Sequence, residues 1–397
     1  MLFFEILLGT ALGIIFGLIP NFHINLLAYL LCAAGVFSIF PDSFYLFFSI
    51  AVSMTITGIL PLLLFRTQTS DTFALFLGRA SSSSVSEIKS QITLFLYGFI
   101  FGGIFAVLFL PLFYVLFVLF SDFYVLIFGV LFLILIHLIF QQESISGKVL
   151  AFLIILFSGT LGVLTLKYNF FFSGPLLPCI FGLFALPQLL MLYFKISGTD
   201  NRSKFVQEIV SLKMILYNSF LGTLFSSIIA IVPSISPGLS MGLSSLFKEK
   251  DNSTEKLILF SSTLISVILI YFFMAITFRK SRIGFVSILL EQGVIASFSI
   301  PDIFLLGFVF LLVIGATCLF LFYFSFPIIS CISTFDHTKV NLSVILFSVG
   351  LIIAITNVWS VFLIILSCAI GFLPIVYNKN KLFLMSYLIV PTILFFI

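Results

Sequence analysis

Charge is what this sequence has least of. Of its 397 residues, 8% are Asp, Glu, Lys or Arg and 62% are apolar. A soluble domain of this size needs roughly a quarter of its residues charged to coat its surface. Composition therefore excludes a soluble globular chain. Histidine and cysteine are scarce too. His23, His137 and His337 lie far apart and offer no zinc spacing. Cys32, Cys179, Cys318, Cys331 and Cys368 stand singly within or beside apolar runs, with no CxxC. They read as free thiols, with no metal or redox role. No GxxxxGK[ST], HExxH, GxSxG or paired-carboxylate arrangement occurs. An ATPase or protease of a standard kind finds no support, and the chain reads as a non-enzyme needing no cofactor. The net charge of +4 is small and no dense basic stretch occurs, so nucleic acid is not an expected partner.

What the sequence has instead is long apolar runs with its few charges gathered between them, and a mean hydropathy of +1.35. The runs fall at 2–19, 24–40, 44–65, 92–120, 123–140, 149–166 and 175–194, then at 215–232, 238–247, 257–278, 303–333, 340–355, 360–377 and 382–397. Crossing the hydrocarbon core takes about 20 apolar residues as a helix. These runs predict an all-α polytopic membrane protein of about 10–14 transmembrane or re-entrant helices. The first run lacks the basic flank and cleavage site of a signal peptide and reads as a first membrane segment. The 56 Phe add hydrophobicity and carry no functional weight. Asn357 and Trp359 suit a turn at the membrane interface.

One polar stretch, Lys195 to Lys213, divides the chain into a first membrane repeat at 1–194, a linker at 195–213 and a second repeat at 214–397. The halves resemble copies. Shifting the chain by 213 places Leu8-Gly9-Thr10 on Leu221-Gly222-Thr223, since 221 − 8 = 213. The same ungapped shift brings Pro20 onto Pro233, Phe65-Arg66 onto Phe278-Arg279, Gly102 onto Gly315 and Pro178 onto Pro391. Coincidences among rare residues are the signature of duplication. An odd number of crossings per copy inverts the second copy relative to the first. With both termini outside, only Lys167, Arg279, Lys280 and Arg282 fall on the outer side; the other 18 − 4 = 14 basic residues lie inside. The Arg279–Arg282 cluster stands against that orientation rule, which suggests a local use.

Candidate chemistry sits at the two prolines. The first break reads Gly17-Leu18-Ile19-Pro20-Asn21-Phe22-His23-Ile24-Asn25, and the second runs from Val232 through Pro233, Ser234 and Ser236 to Gly238. Proline ends a helix and biases the residue before it to extended backbone. The small polar residues that follow can cap a new helix, whose first N–H groups favour an anion. An ordinary surface turn is the plainer reading of each break. Their recurrence at one offset favours a substrate site of Gly17, Pro20, Asn21, His23, Asn25, Pro233, Ser234, Ser236 and Gly238. Arg66, Arg279 and Arg282 are candidates to neutralise an anionic solute. Asp71 is a candidate for a coupling Na⁺ or H⁺, and His23 could titrate.

At these residues the chain resembles the permease subunit of tripartite tricarboxylate transporters, the TctA-type family. Gly17-Leu18-Ile19-Pro20 and Val232-Pro233 to Gly238 stand where the family carries G-x-x-PG. Thr67 to Gly78 is similar to its polar, acidic segment, and Arg279-Lys280-Ser281-Arg282-Ile283-Gly284 to its basic-serine-glycine segment. The half-ends at Gly182–Pro187 and Gly371–Pro374 are similar too. Asn21 and Ser234 replace the glycine after each proline. The resemblance implies a secondary carrier of carboxylates in a prokaryotic plasma membrane, driven by an ion gradient. It also implies a small membrane subunit and a binding protein as partners. A carrier of a lipid-linked anion such as polyprenyl phosphate is the alternative, since helix N-termini and Arg66 serve a phosphate equally well.

Overall fold

A computed structural model describes residues 2–20, 22, 24–33, 35–36, 44–65, 85–120, 124–168, 174–194, 210–232, 234–238, 253–281, 283–295, 300–332, 337–377 and 379–396. Every regular element among them is helical, as expected of a chain whose backbone must satisfy itself in hydrocarbon. The first half supplies α1 (Leu2–Gly17), α2 (Ile24–Ala33), α3 (Phe44–Thr57), α4 (Ile59–Phe65) and α5 (Val85–Phe120). It continues with α6 (Tyr124–Phe140), α7 (Ile145–Gly162), α8 (Leu176–Ile180) and α9 (Leu186–Tyr193). The second half supplies α10 (Leu212–Ile231), α11 (Ser253–Phe278), α12 (Gly284–Glu291) and α13 (Ile300–Ile332). It ends with α14 (His337–Ile355), α15 (Ser360–Val376) and α16 (Ser386–Phe396). A π-helical turn at Val163–Lys167 extends α7, another at Phe181–Ala185 joins α8 to α9, and a 3-10 turn at Lys381–Met385 leads into α16.

Among the described residues, seven helical stretches are long and apolar enough to cross a membrane. The chain is a multi-pass membrane protein. The run expected at 303–333 is α13, and the one at 360–377 is α15. The regular helix in the run at 44–65 is interrupted at Gly58, yet Gly58 N still donates to Met54 O (2.9 Å), so α3 and α4 form one buried span. Trp359 is exposed at the start of α15, where Asn357 Oδ1 accepts from Ser360 N (3.2 Å). The short α12 falls outside every expected run.

Close packing of α1 on α3 rests on glycine. At Gly9 a Cβ would stand 3.0 Å from Ser49 Cβ and strike Leu46 O; at Gly13 and Gly17 it would strike Ser53 Oγ and Thr57 Oγ1. Two hydroxyls along α3 are satisfied by their own helix: Ser53 Oγ donates to Ser49 O (2.6 Å) and Thr57 Oγ1 to Ser53 O (2.9 Å). Small residues with internally bonded hydroxyls let helix backbones approach in an apolar interior. The same contact recurs between α10 and α11. There a Cβ at Gly222 would stand 2.5 Å from Leu259 O and 2.8 Å from Ser262 Cβ. The offsets 222 − 9, 259 − 46 and 262 − 49 are all 213. From Gly9 to Gly17 the partner on α3 advances from Leu46 to Thr57, so α1 and α3 run parallel and the chain between them doubles back. Between α5 and α13 the order reverses. Gly103 meets Phe310, Leu311 and Ile314, whereas Val107 meets Gly307. These two helices hold the same place in their respective halves and run antiparallel.

Among the described elements, side-by-side helix packing falls into two groups. The first contains α1–α5 with α10–α13, centred on α3 and α11. Phe48 and Phe272 meet there edge to face at 4.9 Å, and Phe310 packs on Phe48 at 6.0 Å. The second contains α6–α9 with α14–α16. Each group draws on both halves. In the second, Gly162 of α7 abuts Tyr387 O and lies 2.9 Å, measured from an added Cβ, from Pro391 Cγ. Gly371 of α15 abuts Leu183 O and lies 2.8 Å, measured likewise, from Pro187 Cγ. Ser158 touches Ser386 as Ser367 touches Gly182. The partner of Pro391 in this geometry is Pro187, at an offset of 391 − 187 = 204, and not Pro178 as the ungapped shift suggested. The π-helical turns and the 3-10 turn change the residue count around these ends, which a gapless shift cannot follow.

Candidate functional site

The first break is a tight turn. Leu18 N donates to Ile15 O and Ile19 N to Phe16 O (both 3.2 Å), so the last turn of α1 narrows before Pro20. Phe22 N donates back to Ile19 O (3.3 Å), and its ring stacks on Phe16 at 5.5 Å. Pro20 is half-buried at the bend. Gly17, nominated for substrate, is occupied by packing against Met54 and Thr57. Asn21 and His23 lie outside the described residues.

The second break differs. Val232 N donates to Ile228 O (2.8 Å) and closes α10, while its own backbone is extended (ψ 115), as a residue before proline prefers. Ser234 follows in the left-handed region at φ 65. Its Oγ hydrogen-bonds Thr392 Oγ1 of α16, and Ser236 Oγ points at Met385 Sδ (3.9 Å). This break therefore ties the first bundle to the second. Helix resumes at 237–238, with Gly238 buried. Pro233 lies outside the described residues.

Facing the first break is the basic segment of the other half. Arg279 ends α11 at φ 52, and its Nη1 donates to Ile295 O. Arg279 and Ser234 are the non-glycine residues with positive φ among those described. Such backbone costs energy and is kept where surroundings dictate it, commonly near functional sites. Lys280 Nζ sits over the Phe117 ring at 5.5 Å. Ser281 Oγ donates to Ile283 O (2.8 Å) and accepts from Ile283 N (3.3 Å), tying the turn to itself. Asn25, at the start of α2, then reaches across: its Oδ1 accepts from Phe285 N at 2.9 Å. Arg66, Asp71 and Arg282 lie outside the described residues.

The structure thus joins Asn25 to the segment that begins at Arg279, and joins Ser234 and Ser236 to α16. Thr392, Met385 and Phe285 are contacts that no sequence motif announced. Among the described residues no group of His, Cys, Asp and Glu could hold a metal. What meets at the first break is the Asn25 amide oxygen and the Phe285 N–H; earlier in that segment Arg279 bonds Ile295 O and Lys280 covers the Phe117 ring.

A family model described as the tripartite tricarboxylate transporter TctA family matches residues 3–386. The chain belongs to the TctA family. The match runs through both breaks and the basic segment, so these are parts of a TctA fold and not additions to it. Membership makes the protein a membrane transporter component of permease type. No curated protein and no solved structure matches the chain.

Proposed function

We propose that this TctA-family protein is a secondary transporter of an organic anion, a carboxylate, driven by a Na⁺ or H⁺ gradient. The observation that carries the reading is the meeting of the first break with the basic segment of the opposite half, at Asn25 and Phe285. Matched glycine contacts in α1–α3 and α10–α11, and the antiparallel α5 and α13, support two inverted copies of one helical unit at 1–194 and 214–397. Inverted copies that bring broken helices together are the arrangement secondary transporters use to seat a substrate. Pro20, Asn21, His23, Pro233, Ser234, Ser236 and Gly238 would surround the solute, with Asn25 holding the two segments together behind them. Arg66, Arg279 and Arg282 would balance its charge, and Asp71 would take the coupling ion. Alternating access would come from movement of one bundle against the other, with the Ser234–Thr392 contact made and broken in each cycle. A small membrane subunit and a soluble binding protein are the expected partners.

The deciding experiment is uptake of labelled mono-, di- and tricarboxylates into proteoliposomes, with and without an imposed Na⁺ or proton gradient. Gradient-dependent uptake of at least one carboxylate is expected. Its absence, alongside movement of a polyprenyl phosphate between leaflets, would replace the reading with a lipid-anion carrier.

A further inference from the structure

α12 begins without a cap of its own. Its N-cap residue is Ile283, which has no side-chain oxygen to offer the first N–H groups. An uncapped helix start in a membrane interior is costly, because no water replaces the missing acceptor. The acceptor comes instead from 260 residues away, where Asn25 Oδ1 takes the Phe285 N–H at 2.9 Å. Gly284 makes room for it: a Cβ there would stand 3.3 Å from both Cγ and Oδ1 of Asn25. α2 and α12 pack on each other. Phe285, the residue whose amide is capped, is itself fully buried, its ring between Phe47 of α3 (6.4 Å) and Phe272 of α11 (6.3 Å). The start of α12 is thereby fixed to the central helices by its ring and to the first break by its amide.

We propose that Asn25 is a positioning residue that caps α12 in trans and so sets the turn carrying Arg279, Lys280 and Ser281 against the first break. This rests on the substrate reading above for its functional consequence, not for the contact itself. Asn25 is spent on protein rather than on solute. In sequence the pairing recurs with its members exchanged. Offset by 213, Asn25 aligns with Gly238 and Gly284 with Asp71, so each aligned pair holds one polar side chain and one glycine.

The test compares Asn25→Ala, Asn25→Asp and Gly284→Ala in the full chain, by amide hydrogen exchange in nanodiscs and by carboxylate uptake. Loss of one capping acceptor should speed exchange at 285–287 by about tenfold in Asn25→Ala. Gly284→Ala should do the same by displacing the amide. Asn25→Asp keeps an acceptor at a helix N-terminus, so it should keep wild-type protection and wild-type KM, while Asn25→Ala raises KM. Unchanged exchange in Asn25→Ala overturns the cap. Intact exchange in Asn25→Asp, with uptake as poor as in Asn25→Ala, overturns the positioning role and makes Asn25 a ligand repelled by its own new charge. Wild-type protein that moves no carboxylate sinks the substrate reading alone, and the exchange data still decide the cap.

Discussion

At the scale of single residues, the two left-handed backbones at Ser234 and Arg279 are the sharpest features, and both lie in segments nominated from sequence. Arg279→Ala removes a cation and its bond to Ile295 O, and should cut carboxylate uptake at least several-fold without preventing membrane insertion. Pro233→Ala should act alike by letting α10 run on past its stop. Normal transport in both variants would remove these segments from the site. Arg279 was legible because it breaks the charge asymmetry of the loops and aligns with Arg66. The bond from Asn25 to Phe285 was not, since a separation of 260 residues leaves no local pattern. At Gly17 the sequence motif left a second role unseen: the missing side chain is also what seats α1 on α3.

At the scale of elements, helix existence followed directly from apolar runs bounded by charge and proline, because a bilayer leaves no other way to satisfy the backbone. α12 was missed for the same reason. Eight residues make no membrane-length run, and basic residues precede it. The π-helical turns in α7 and between α8 and α9 have no sequence signature, so the gapless shift paired Pro391 with the wrong proline. The glycine contacts make a quantitative prediction. Gly13→Leu or Gly162→Leu drives a side chain into Ile50 and Ser53, or into Tyr387 and Pro391. Each should destabilise the protein by about 1–3 kcal/mol. Gly129→Leu has open space at its Cβ and should cost far less. Thermal melting in detergent measures the difference; equal losses in all three would contradict the packing described.

At the scale of the molecule, two bundles are joined where Ser234 meets Thr392. A Ser234→Cys, Thr392→Cys pair, built with Cys331→Ser to remove an exposed thiol, should cross-link under oxidant. Uptake should stop when the disulfide forms and return on reduction. Full activity in the cross-linked protein would exclude movement at this junction. The division into bundles could not be read from the two halves of the chain, because each half is split between both bundles.

That interleaving constrains how such a chain can be made. α7 finds its close neighbour in α16 and α15 finds its own in α8 and α9, while the capping oxygen for α12 arrives from α2. A polypeptide ending before α10 would leave α7 without α16, and one starting there would lack the acceptor that opens α12. Production of 1–211 and 212–397 as separate pieces should yield unstable material from either gene alone and recover it only when both are synthesised together.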